Sequence, residues 1–335
     1  MKIAVDAMGG DFAPKAVIDG IALALTEYNF FEKLVLVGDL EKVTDELKRH
    51  GLEKHPKIEL VHASQVVEMH ESATLALRGK KDSSITVCTD LVKKGEVDAV
   101  VSAGHTGAAV AASVVKMRTL PGVSRPGIAT VFPTPHGQFV LLDAGANVDS
   151  DSDNLVQFAQ MGEIYAKAIL KIDKPRIGLL ANGEEESKGN ELTKAAHKKL
   201  KDVPINFIGN VEGGDLFGGE VDVVVCDGFV GNVVLKSCEH LAKALGSILK
   251  QKLTASPVRK AGAFLARNAF AELKKVGDYA EYGGAPLLGV NGICIIGHGS
   301  SSPKAIKNAI RVAGEFIENK VNEQIVERLK SDEES

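Results

Sequence analysis

One segment of the sequence combines the residue types that bind an anion. An apolar run, residues 98–101, leads into a short polar turn, and an alanine-rich stretch to about residue 117 follows. The turn consists of Ser102, Ala103, Gly104, His105, Thr106 and Gly107. Where a glycine-containing turn begins a helix, unpaired backbone N–H groups and the helix dipole favour an anion. The turn is therefore a candidate anion site, although a plain turn between a strand and a helix has the same composition.

Polar residues beside glycine recur where other apolar runs end. The six residues that follow these runs are Asp6, Ser102, Asp143, Asn182, Asp227 and His298. Because ligands of open α/β sheets bind beyond the carboxyl ends of the strands, we predict that the six residues line one polar cleft. For the three aspartates, the alternative is a turn-forming role through hydrogen bonds from side chain to backbone.

An anion also needs cations, and Lys188 is the first candidate. It lies between Ser187 and Gly189, just before a predicted helix, where its ammonium can meet an anion at the helix N-terminus. His105 is the second candidate. The alternatives are a solvated lysine that follows three glutamates and an imidazole that caps the helix.

These residues need a scaffold, and the sequence pattern predicts one. Alternating apolar runs, glycine-containing turns and amphipathic stretches indicate an α/β fold with a mostly parallel sheet sandwiched by helices. The predicted strands are residues 2–7, 34–37, 58–61, 98–101, 128–132, 138–142, 176–181, 205–208, 221–226 and 293–296. Residues 128–142 should form a hairpin, a final helix should begin at residue 303, and residues 62–83 fit no element. We expect residues 1–330 to be a single unit with a frayed acidic tail, residues 331–335.

A second candidate segment spans residues 257–276, within a protruding stretch that begins near residue 254. At about 100° per residue, it forms one amphipathic helix. Its apolar face consists of Val258, Ala261, Leu265, Ala269, Leu273 and Val276, with Phe264 and Phe270 at the edges. Its basic face consists of Arg259, Lys260, Arg267, Lys274 and Lys275. Such a helix can bind an anionic membrane or an acidic protein, and the alternative is a core-facing helix with a solvated outer face.

Composition and missing motifs argue against several classes of protein. The chain has 335 residues and a net charge of −4 with few aromatic residues, which argues against a nucleic-acid surface. Its cysteines lack zinc-site spacing and fit free thiols in a reducing cytoplasm; Cys226 has apolar neighbours and is a poor candidate nucleophile. No P-loop motif, no GxSxG motif and no membrane-length apolar run is present, and no GxGxxG follows the first strand. We predict no metal and no cofactor.

Six short motifs together resemble the bacterial phosphate acyltransferase family over essentially the full chain. The motifs are residues 6–11 (DAMGGD), 102–108 (SAGHTGA), 143–149 (DAGANVD), 182–189 (NGEEESKG), 226–232 (CDGFVGN) and 284–289 (GAPLLG). The sequence departs from the family at one position: His105 stands where the family usually has asparagine. A neutral imidazole can also donate one hydrogen bond.

The resemblance implies a fold similar to phosphotransacetylases and to isocitrate- and isopropylmalate-dehydrogenase-like proteins, usually as a homodimer. It implies an acyltransferase that moves a long-chain fatty acyl group from the thioester of acyl carrier protein to inorganic phosphate. The acyl phosphate would then pass to a membrane acyltransferase that acylates glycerol 3-phosphate in phospholipid synthesis. The implied location is cytoplasmic, with peripheral attachment to the inner face of the cell membrane.

For this reaction, phosphate is already a nucleophile, so the protein must position it and stabilise the oxyanion. The predicted catalytic residues are Lys188, Asp227, Asn232, Asn182 and His105. The predicted substrate-binding residues are Ser102, Gly104, Thr106, Gly107, Asp6, Gly9, Gly10, Asp143, Asn147, Gly228 and His298. The predicted contacts to membrane or carrier protein are Arg259, Lys260, Phe264, Leu265 and Arg267.

Individual roles follow from side-chain chemistry. Lys188 and the 102–107 turn would hold phosphate, and Asn182 or Asn232 would donate to the thioester oxygen. Asp227 would orient these donors or accept a proton from phosphate, while Asp6 and Asp143 would brace loops. Three other functions stay open: a phosphotransacetylase acting on short acyl-coenzyme A, an NAD-dependent dehydrogenase, and a non-catalytic scaffold at the membrane.

Overall fold

The computed structural model describes residues 1–276 and 279–333. Its strands are β1 (Lys2–Asp6), β2 (Lys33–Gly38), β3 (Ile58–His62), β4 (Ala99–Ser102), β5 (Gly127–Ile128), β6 (Thr130–Thr134), β7 (Gly137–Leu142), β8 (Ile177–Leu180), β9 (Phe207–Val211), β10 (Val223–Val225), β11 (Ala285–Leu288) and β12 (Ile293–Ile296). Its helices are α1 (Lys15–Glu27), α2 (Leu40–Arg49), α3 (Ala73–Gly79), α4 (Ser84–Lys93), α5 (Thr106–Met117), α6 (Ser152–Ala168), α7 (Glu191–Leu200), α8 (Gly228–Leu253), α9 (Pro257–Leu265), α10 (Arg267–Val276), α11 (Pro303–Glu318) and α12 (Val321–Glu333). A strand forms at each predicted position, and the hairpin is confirmed, but some bounds differ. The predicted strand 128–132 is divided between β5 and β6, and the predicted strand 205–208 is shifted to β9. The sequence pattern did not predict the short strand β11 or the helix α3.

The first sheet has seven strands in the order β3-β2-β1-β4-β12-β11-β5. The strands from β3 to β12 in this order are parallel, and β11 runs antiparallel to both of its neighbours. Val5 lies opposite Val101, and Ser102 lies opposite Ile296. The register therefore places Asp6 and Ser102 side by side at the carboxyl edge of this sheet.

The second sheet has five strands in the order β6-β7-β10-β8-β9. Its last four strands are parallel, and β6 is antiparallel to β7. Val225 of β10 lies between Leu142 of β7 and Leu179 of β8, so the loops after these strands leave one edge. The α/β class is as predicted. The strands are nevertheless divided between two sheets, because the chain leaves the first sheet at Ala129, between β5 and β6.

Alternating residues of β1 face the two helical layers of the first sheet. Ile3 shares a core cluster with Ile18 of α1 and Ile306 of α11. Ala4 belongs to the other cluster, together with Ile85 of α4. On the second sheet, α6 packs against β7 and β10. Helices thus cover the sheets and leave the carboxyl edges of the strands for the loops that carry the candidate site.

Helices α8 to α10 bury far less surface than the helices of the core. The 26-residue α8 buries only Gly228 and Gly231, and α9 buries no residue. The single helix predicted over residues 257–276 is wrong, because α9 ends at Leu265 and α10 begins at Arg267. The guanidinium of Arg267 lies 4.5 Å from the centre of the Phe264 ring across this break. Neither proline nor glycine marks the break, so the residue types do not signal it.

The C-terminal part also differs from the sequence pattern. The predicted final helix is two helices, α11 and α12, and α12 ends at Glu333. Residues 334 and 335, which belong to the predicted frayed tail, lie outside the described residues. In the part of the chain that the structure describes, no helix is both long and apolar enough to cross a bilayer.

Candidate active site

The carboxyl edge of the first sheet is organised around Asp6. This buried carboxylate accepts hydrogen bonds from Ser102 Oγ at 2.7 Å and from the Met8 N–H at 3.2 Å, and Ser102 Oγ accepts from the Gly104 N–H at 3.1 Å. Burial raises the pKa of Asp6, while hydrogen bonds from Ser84 and Ser102 oppose the rise. Asp6 therefore holds the turns after β1 and β4 together, which is the loop-bracing role expected for it.

Two glycines of the predicted site are required by this close packing. A side chain at Gly9 would place its Cβ 2.6 Å from Asp6 Oδ2 and 2.8 Å from the Gly104 nitrogen. Gly10 has φ of +106°, a conformation that residues with a Cβ rarely adopt. The backbone of Asp11 continues the contact, because its N–H donates to the Gly299 carbonyl at 2.8 Å.

The turn that begins α5 presents backbone donors. His105 caps the helix, since its Nδ1 accepts from the Ala108 N–H at 3.1 Å. The neutral imidazole then carries its proton on Nε2, by assignment from this hydrogen bond. Within the described residues, the N–H groups of Thr106 and Gly107 donate to no acceptor of the protein. The capping alternative for His105 is thus what the geometry shows, and it leaves one imidazole donor and two backbone donors at the turn.

His298 connects the first sheet to α8. Its Nδ1 accepts from the Ser300 N–H at 3.1 Å, and its Nε2 lies 3.9 Å from Glu239 Oε2 of α8. Glu239 also accepts from Lys236 Nζ at 3.0 Å. Burial lowers the pKa of His298, and the negative charge of Glu239 opposes the change. The imidazole is therefore mainly neutral near pH 7 and directs an N–H towards α8.

The carboxyl edge of the second sheet is organised around Asp143. Its fully buried carboxylate accepts from the backbone N–H groups of Ile128, Gly145, Ala146 and Asn147 at 2.8–3.0 Å, and from Asn147 Nδ2 at 2.9 Å. Burial raises the pKa of Asp143, and these donors oppose the rise. All of these contacts are within the protein, so Asp143 and Asn147 act as a brace for the loop after β7.

Helix α8 begins against this brace. Asp227 caps the helix by accepting from the Val230 N–H at 2.9 Å. A Cβ at Gly228 would lie 2.4 Å from the Asn147 carbonyl oxygen, and a Cβ at Gly231 would lie 1.8 Å from the Asp143 carbonyl oxygen. These glycines let the first turn of α8 pack on the loop after β7. The arrangement directs the exposed side chain of Asn232 past Gly145, whose Cβ position would be 3.3 Å from the Asn232 Cβ.

The loop after β8 carries Lys188. Asn182 Oδ1 accepts from the Gly189 N–H at 2.8 Å and closes the loop, which leaves the Asn182 amide group as a donor. Asn210 Nδ2 donates to the Glu185 carbonyl at 3.0 Å, and Glu186 forms an ion pair with Lys201. Lys188 itself is exposed and pairs with no carboxylate among the described residues. The neighbouring glutamates therefore form no ion pair with its ammonium in the described part of the chain.

The predicted residues follow strands of two sheets rather than one. Asp6, Gly9, Gly10, Ser102, Gly104, Thr106, Gly107 and His298 lie at the first edge, and Asp143, Asn147, Asp227, Gly228, Asn232, Asn182 and Lys188 lie at the second. One link between the groups is α8, which starts at the second edge and brings Glu239 to His298, and another is the hydrogen bond from the Ile128 N–H of β5 to Asp143. The expectation of a single sheet edge is corrected, because two separate sheets supply the loops. Within the described residues, Lys188 makes no hydrogen bond or ion pair with residues 102–107.

The structure adds residues that the sequence pattern missed. Glu239 was not singled out because its place opposite His298 depends on the direction of α8, not on a local motif. Ser84 was not singled out because its approach to Asp6 depends on the packing of α4 on β1. Asp11 was part of a motif but received no role, and its backbone now ties two loops together.

Cysteine and metal chemistry have little support in these groups. Burial raises the pKa of Cys226 well above its usual value, and its thiol donates to the Asp143 carbonyl at 3.7 Å. A thiolate nucleophile at this position is therefore disfavoured. Among the described residues, no cluster of three or more His, Cys, Asp or Glu residues has a metal-binding arrangement.

Comparison with known proteins identifies the family. The family model described as "Fatty acid synthesis protein" matches residues 1–324. A phosphate acyltransferase of Pelotomaculum thermopropionicum is 53% identical over 334 residues, which is 99% of this chain and 96% of that protein. This chain belongs to the phosphate acyltransferase family. A second member, from Geobacter sulfurreducens, is 50% identical over 332 residues, or 99% of this chain and 95% of that protein. The chain is therefore an acyltransferase whose reaction involves phosphate.

Solved structures of other proteins support the fold. A phosphotransacetylase from Streptococcus pyogenes has a TM-score of 0.60 at 17% identity and covers 95% of this chain and 94% of its own. The EutD phosphotransacetylase from Staphylococcus aureus has a TM-score of 0.57 at 16% identity and covers 94% of this chain and 93% of its own. At these identities the likeness shows the fold of this chain alone. The shared fold agrees with the predicted α/β class.

Proposed function

We propose that the chain transfers a long-chain fatty acyl group from the thioester of acyl carrier protein to inorganic phosphate. The product, an acyl phosphate, would serve a membrane acyltransferase that acylates glycerol 3-phosphate. The observation that carries the proposal is the state of Lys188 in a member of the phosphate acyltransferase family. Its ammonium is exposed at the edge of a parallel sheet and makes no ion pair in the described part of the chain, although three glutamates precede it closely.

Phosphate would bind between Lys188 and the turn that begins α5. Lys188 supplies a full positive charge, and the Thr106 and Gly107 N–H groups supply donors at the positive end of a helix dipole. The two groups follow strands of different sheets, so the proposed phosphate site would lie between the two carboxyl edges. The contact between Glu239 of α8 and His298 connects the two edges.

In the proposed reaction, a phosphate oxygen attacks the thioester carbon and forms a tetrahedral oxyanion. The amide groups of Asn182 and Asn232 would donate to this oxyanion, because the Asn182 oxygen is already used within its loop and Asn232 is exposed. Collapse of the intermediate breaks the carbon–sulfur bond, and the released thiolate of the carrier takes up a proton from water. Asp227 would act by fixing the first turn of α8, which carries Asn232.

The decisive experiment measures release of carrier thiol from palmitoyl acyl carrier protein as a function of phosphate. Lys188→Ala should reduce kcat/KM by more than about tenfold, because a charge that neutralises phosphate is lost. Lys194→Ala, an exposed lysine of α7, is the matched control and should leave kcat/KM unchanged. Full activity of the Lys188 variant at saturating phosphate would remove Lys188 from the site. Faster turnover of acetyl-coenzyme A than of the carrier thioester would instead support a short-chain phosphotransacetylase.

The proposed membrane contact is the arm formed by α9 and α10. Val258 and Leu265 are 82% and 84% exposed, and Phe264 and Leu273 are also exposed. Arg259, Lys260 and Arg267 accompany these apolar residues and would face anionic lipid headgroups. We assign the arm to the membrane rather than to the carrier protein. This assignment accounts for apolar side chains that the described fold leaves in water.

Co-sedimentation with phosphatidylglycerol vesicles tests the arm. Leu265→Glu should reduce vesicle binding by more than about tenfold, because burial of a leucine contributes about 1.5–3 kcal/mol and the new charge is repelled. Ile208→Glu changes an exposed apolar residue of β9 in the same way and should have no effect. Unaltered sedimentation of the Leu265 variant would contradict the membrane assignment and leave the acyl-transfer proposal untouched.

We also propose that α8 forms the interface of a homodimer. Leu241, Leu245 and Ile248 are more than half exposed and recur at spacings of four and three residues along α8. This spacing places them on one stripe, which is the pattern of a helix that packs against another helix. A second copy of the chain is the proposed occupant, in agreement with the homodimer expected from the sequence.

A further inference from the structure

A cavity of about 710 Å³ lies between α3, α4 and α5, on the side of the first sheet that carries the anion-binding turn. It is lined by Thr74, Leu77, Arg78, Lys81, Thr86, Val115 and Lys116. Leu77 and Val115 supply apolar surface, and Val115 is 60% exposed. No role has been assigned to this cavity in the acyl-transfer site.

The charged side chains that line the cavity are all positive. Its lining includes three cations and no carboxylate, in a chain whose net charge is −4. Lys116 is neutralised by Asp90 at 2.9 Å. Arg78 and Lys81 are exposed and form no ion pair with any residue in the described ranges, so their charges remain for a partner.

Two short connections join the cavity to the candidate active site. Ala73, next to the lining residue Thr74, packs against the anion-binding turn, because a Cβ at Gly107 would lie 3.2 Å from the Ala73 Cβ. Ser84, two residues before the lining residue Thr86, interacts with Asp6. A molecule seated in the cavity would therefore contact the same helices that shape the turn. From Thr106 to Val115 along α5 the distance is about 14 Å at the usual helical rise.

We propose that this cavity is the docking site for an acidic protein surface, and that the carrier of the acyl thioester supplies that surface. The proposal rests on the proposed function, in which the acyl donor is a protein. Arg78 and Lys81 would pair with carboxylates at the rim, and Leu77 and Val115 would contact an apolar side chain at the centre. A charged rim around an apolar centre is the usual arrangement of a specific protein interface. The thioester arm of the docked carrier would then extend along α5 to the turn.

The observations favour a protein surface over a membrane at this cavity. The two free cations border a concave space between helices, whereas the exposed apolar side chains of the α9–α10 arm form a convex surface suited to a bilayer. They also favour a protein over a small phosphorylated donor, because the apolar residues Leu77 and Val115 line the cavity with the cations. Both other occupants remain outcomes of the test.

The test compares three palmitoyl donors in the full-length protein: the thioesters of acyl carrier protein, coenzyme A and pantetheine. The double variant Arg78→Glu with Lys81→Glu should raise KM for the carrier thioester by about tenfold or more, and this effect should shrink at high salt. The kcat with the carrier and the kinetics with the pantetheine thioester should not change. The matched control, Lys54→Glu with Lys198→Glu, reverses two exposed lysines elsewhere and should behave as the wild type.

Each contrary result has a distinct meaning. An unchanged KM for the carrier thioester, or equal loss with the pantetheine thioester, overturns the docking proposal. An equal rise in KM for the coenzyme A thioester assigns the cavity to a small anion, and loss of vesicle binding alone assigns it to lipid; both overturn it. If the wild type releases no thiol from any donor on addition of phosphate, the proposed function itself fails. Binding of fluorescent carrier protein without phosphate then still compares the variant with the wild type.

Discussion

Helices α8 and α11 begin in the same way but have different surroundings. Each follows the carboxyl end of a parallel strand, and each starts with a polar cap, Asp227 in α8 and Ser302 in α11. Of its 16 residues, α11 buries nine, whereas α8 buries two of 26. A polar cap after a parallel strand therefore begins both a largely buried helix and a largely exposed one.

The difference arises from what each helix meets. The apolar stripe of α11 packs against α1 and the first sheet. Burial of this stripe therefore stabilises the folded monomer. The first three turns of α8 are only partly covered: Gly228 and Gly231 pack on the loop after β7, and the partly buried Val234, Leu235 and Cys238 pack against the core. Beyond these turns, Leu241, Leu245 and Ile248 are more than half exposed.

The largest expected difference in stability is between truncation of a core side chain in α11 and truncation of an exposed apolar side chain in α8. Ile310→Ala in α11 should lower the free energy of unfolding by about 2–5 kcal/mol, because a fully buried isoleucine leaves a cavity. Leu245→Ala in α8, where the side chain is 57% exposed, should cost the monomer less than about 0.5 kcal/mol. Urea unfolding at several protein concentrations measures both. A large, concentration-dependent loss for the Leu245 variant would show that a second copy covers α8.

Substitution of a glycine by alanine should change the stability of the protein in opposite directions in the two helices. A Cβ at Gly314 in α11 would lie 2.3 Å from the Phe30 ring, so Gly314→Ala should cost about 1–3 kcal/mol through overpacking. A Cβ at Gly246 in α8 would meet no atom within 4 Å, so Gly246→Ala should stabilise the helix by about 0.5–1 kcal/mol. Thermal unfolding reports both changes. A destabilised Gly246 variant would contradict the open surroundings of α8, and size-exclusion chromatography would reveal whether a dimer contact was lost.

Much of this fold could be predicted from residue patterns, and the reason is local. The predicted strand 221–226 contains β10 (Val223–Val225), because apolar β-branched residues suit a strand buried on both faces. The hairpin of β6 and β7 follows from the turn residues between them. By contrast, β11 contains Pro286 and few residues, so its pairing with β12 depends on tertiary packing.

The candidate site was less predictable because its geometry depends on distant contacts. Residue types alone correctly marked the loops that leave the strands, and the structure shows Asp6 and Asp143 as buried braces. The pattern did not reveal that the chain changes sheets at Ala129. It also did not reveal that Glu239, three turns into α8, lies opposite His298. Both facts depend on the direction of an element in space, which residue spacing does not encode.

The helix caps offer a smaller contrast. Asp227→Ala removes the acceptor for the Val230 N–H at 2.9 Å, and Ser302→Ala removes the acceptor for the Ala305 N–H at 3.3 Å. Each loss should cost about 1 kcal/mol in the free energy of unfolding. The Asp227 variant should also reduce kcat for phosphate-dependent thiol release, since the first turn of α8 positions Asn232, whereas the Ser302 variant should leave kcat unchanged. Equal effects on kcat would mean that α8 has no special relation to the site.

The smallest expected effect is the pH dependence of the link between the two helices. His298 precedes α11 and lies 3.9 Å from Glu239 of α8. Burial lowers its pKa in the folded protein, so the unfolded chain binds more protons as the pH falls below about 6.5. The free energy of unfolding should therefore include a contribution that is fully present above about pH 6.5 and decreases as the pH falls towards the lowered pKa. Because the side chain is 36% exposed, solvent screening keeps the contribution small.

Urea unfolding of the wild type and of His298→Asn from about pH 5 to about pH 8 isolates this contribution. The wild type should lose stability on acidification more steeply than the variant, and the two profiles should run parallel above neutral pH. A variant with the same slope would mean that other groups account for the acid dependence. A wild type that becomes more stable on acidification would reverse the sign, because it would mean that Glu239 holds the imidazolium in the folded state. In that case the contact between α8 and the loop before α11 would be an ion pair rather than a neutral packing contact, and the two helices would be more strongly coupled than their burial suggests.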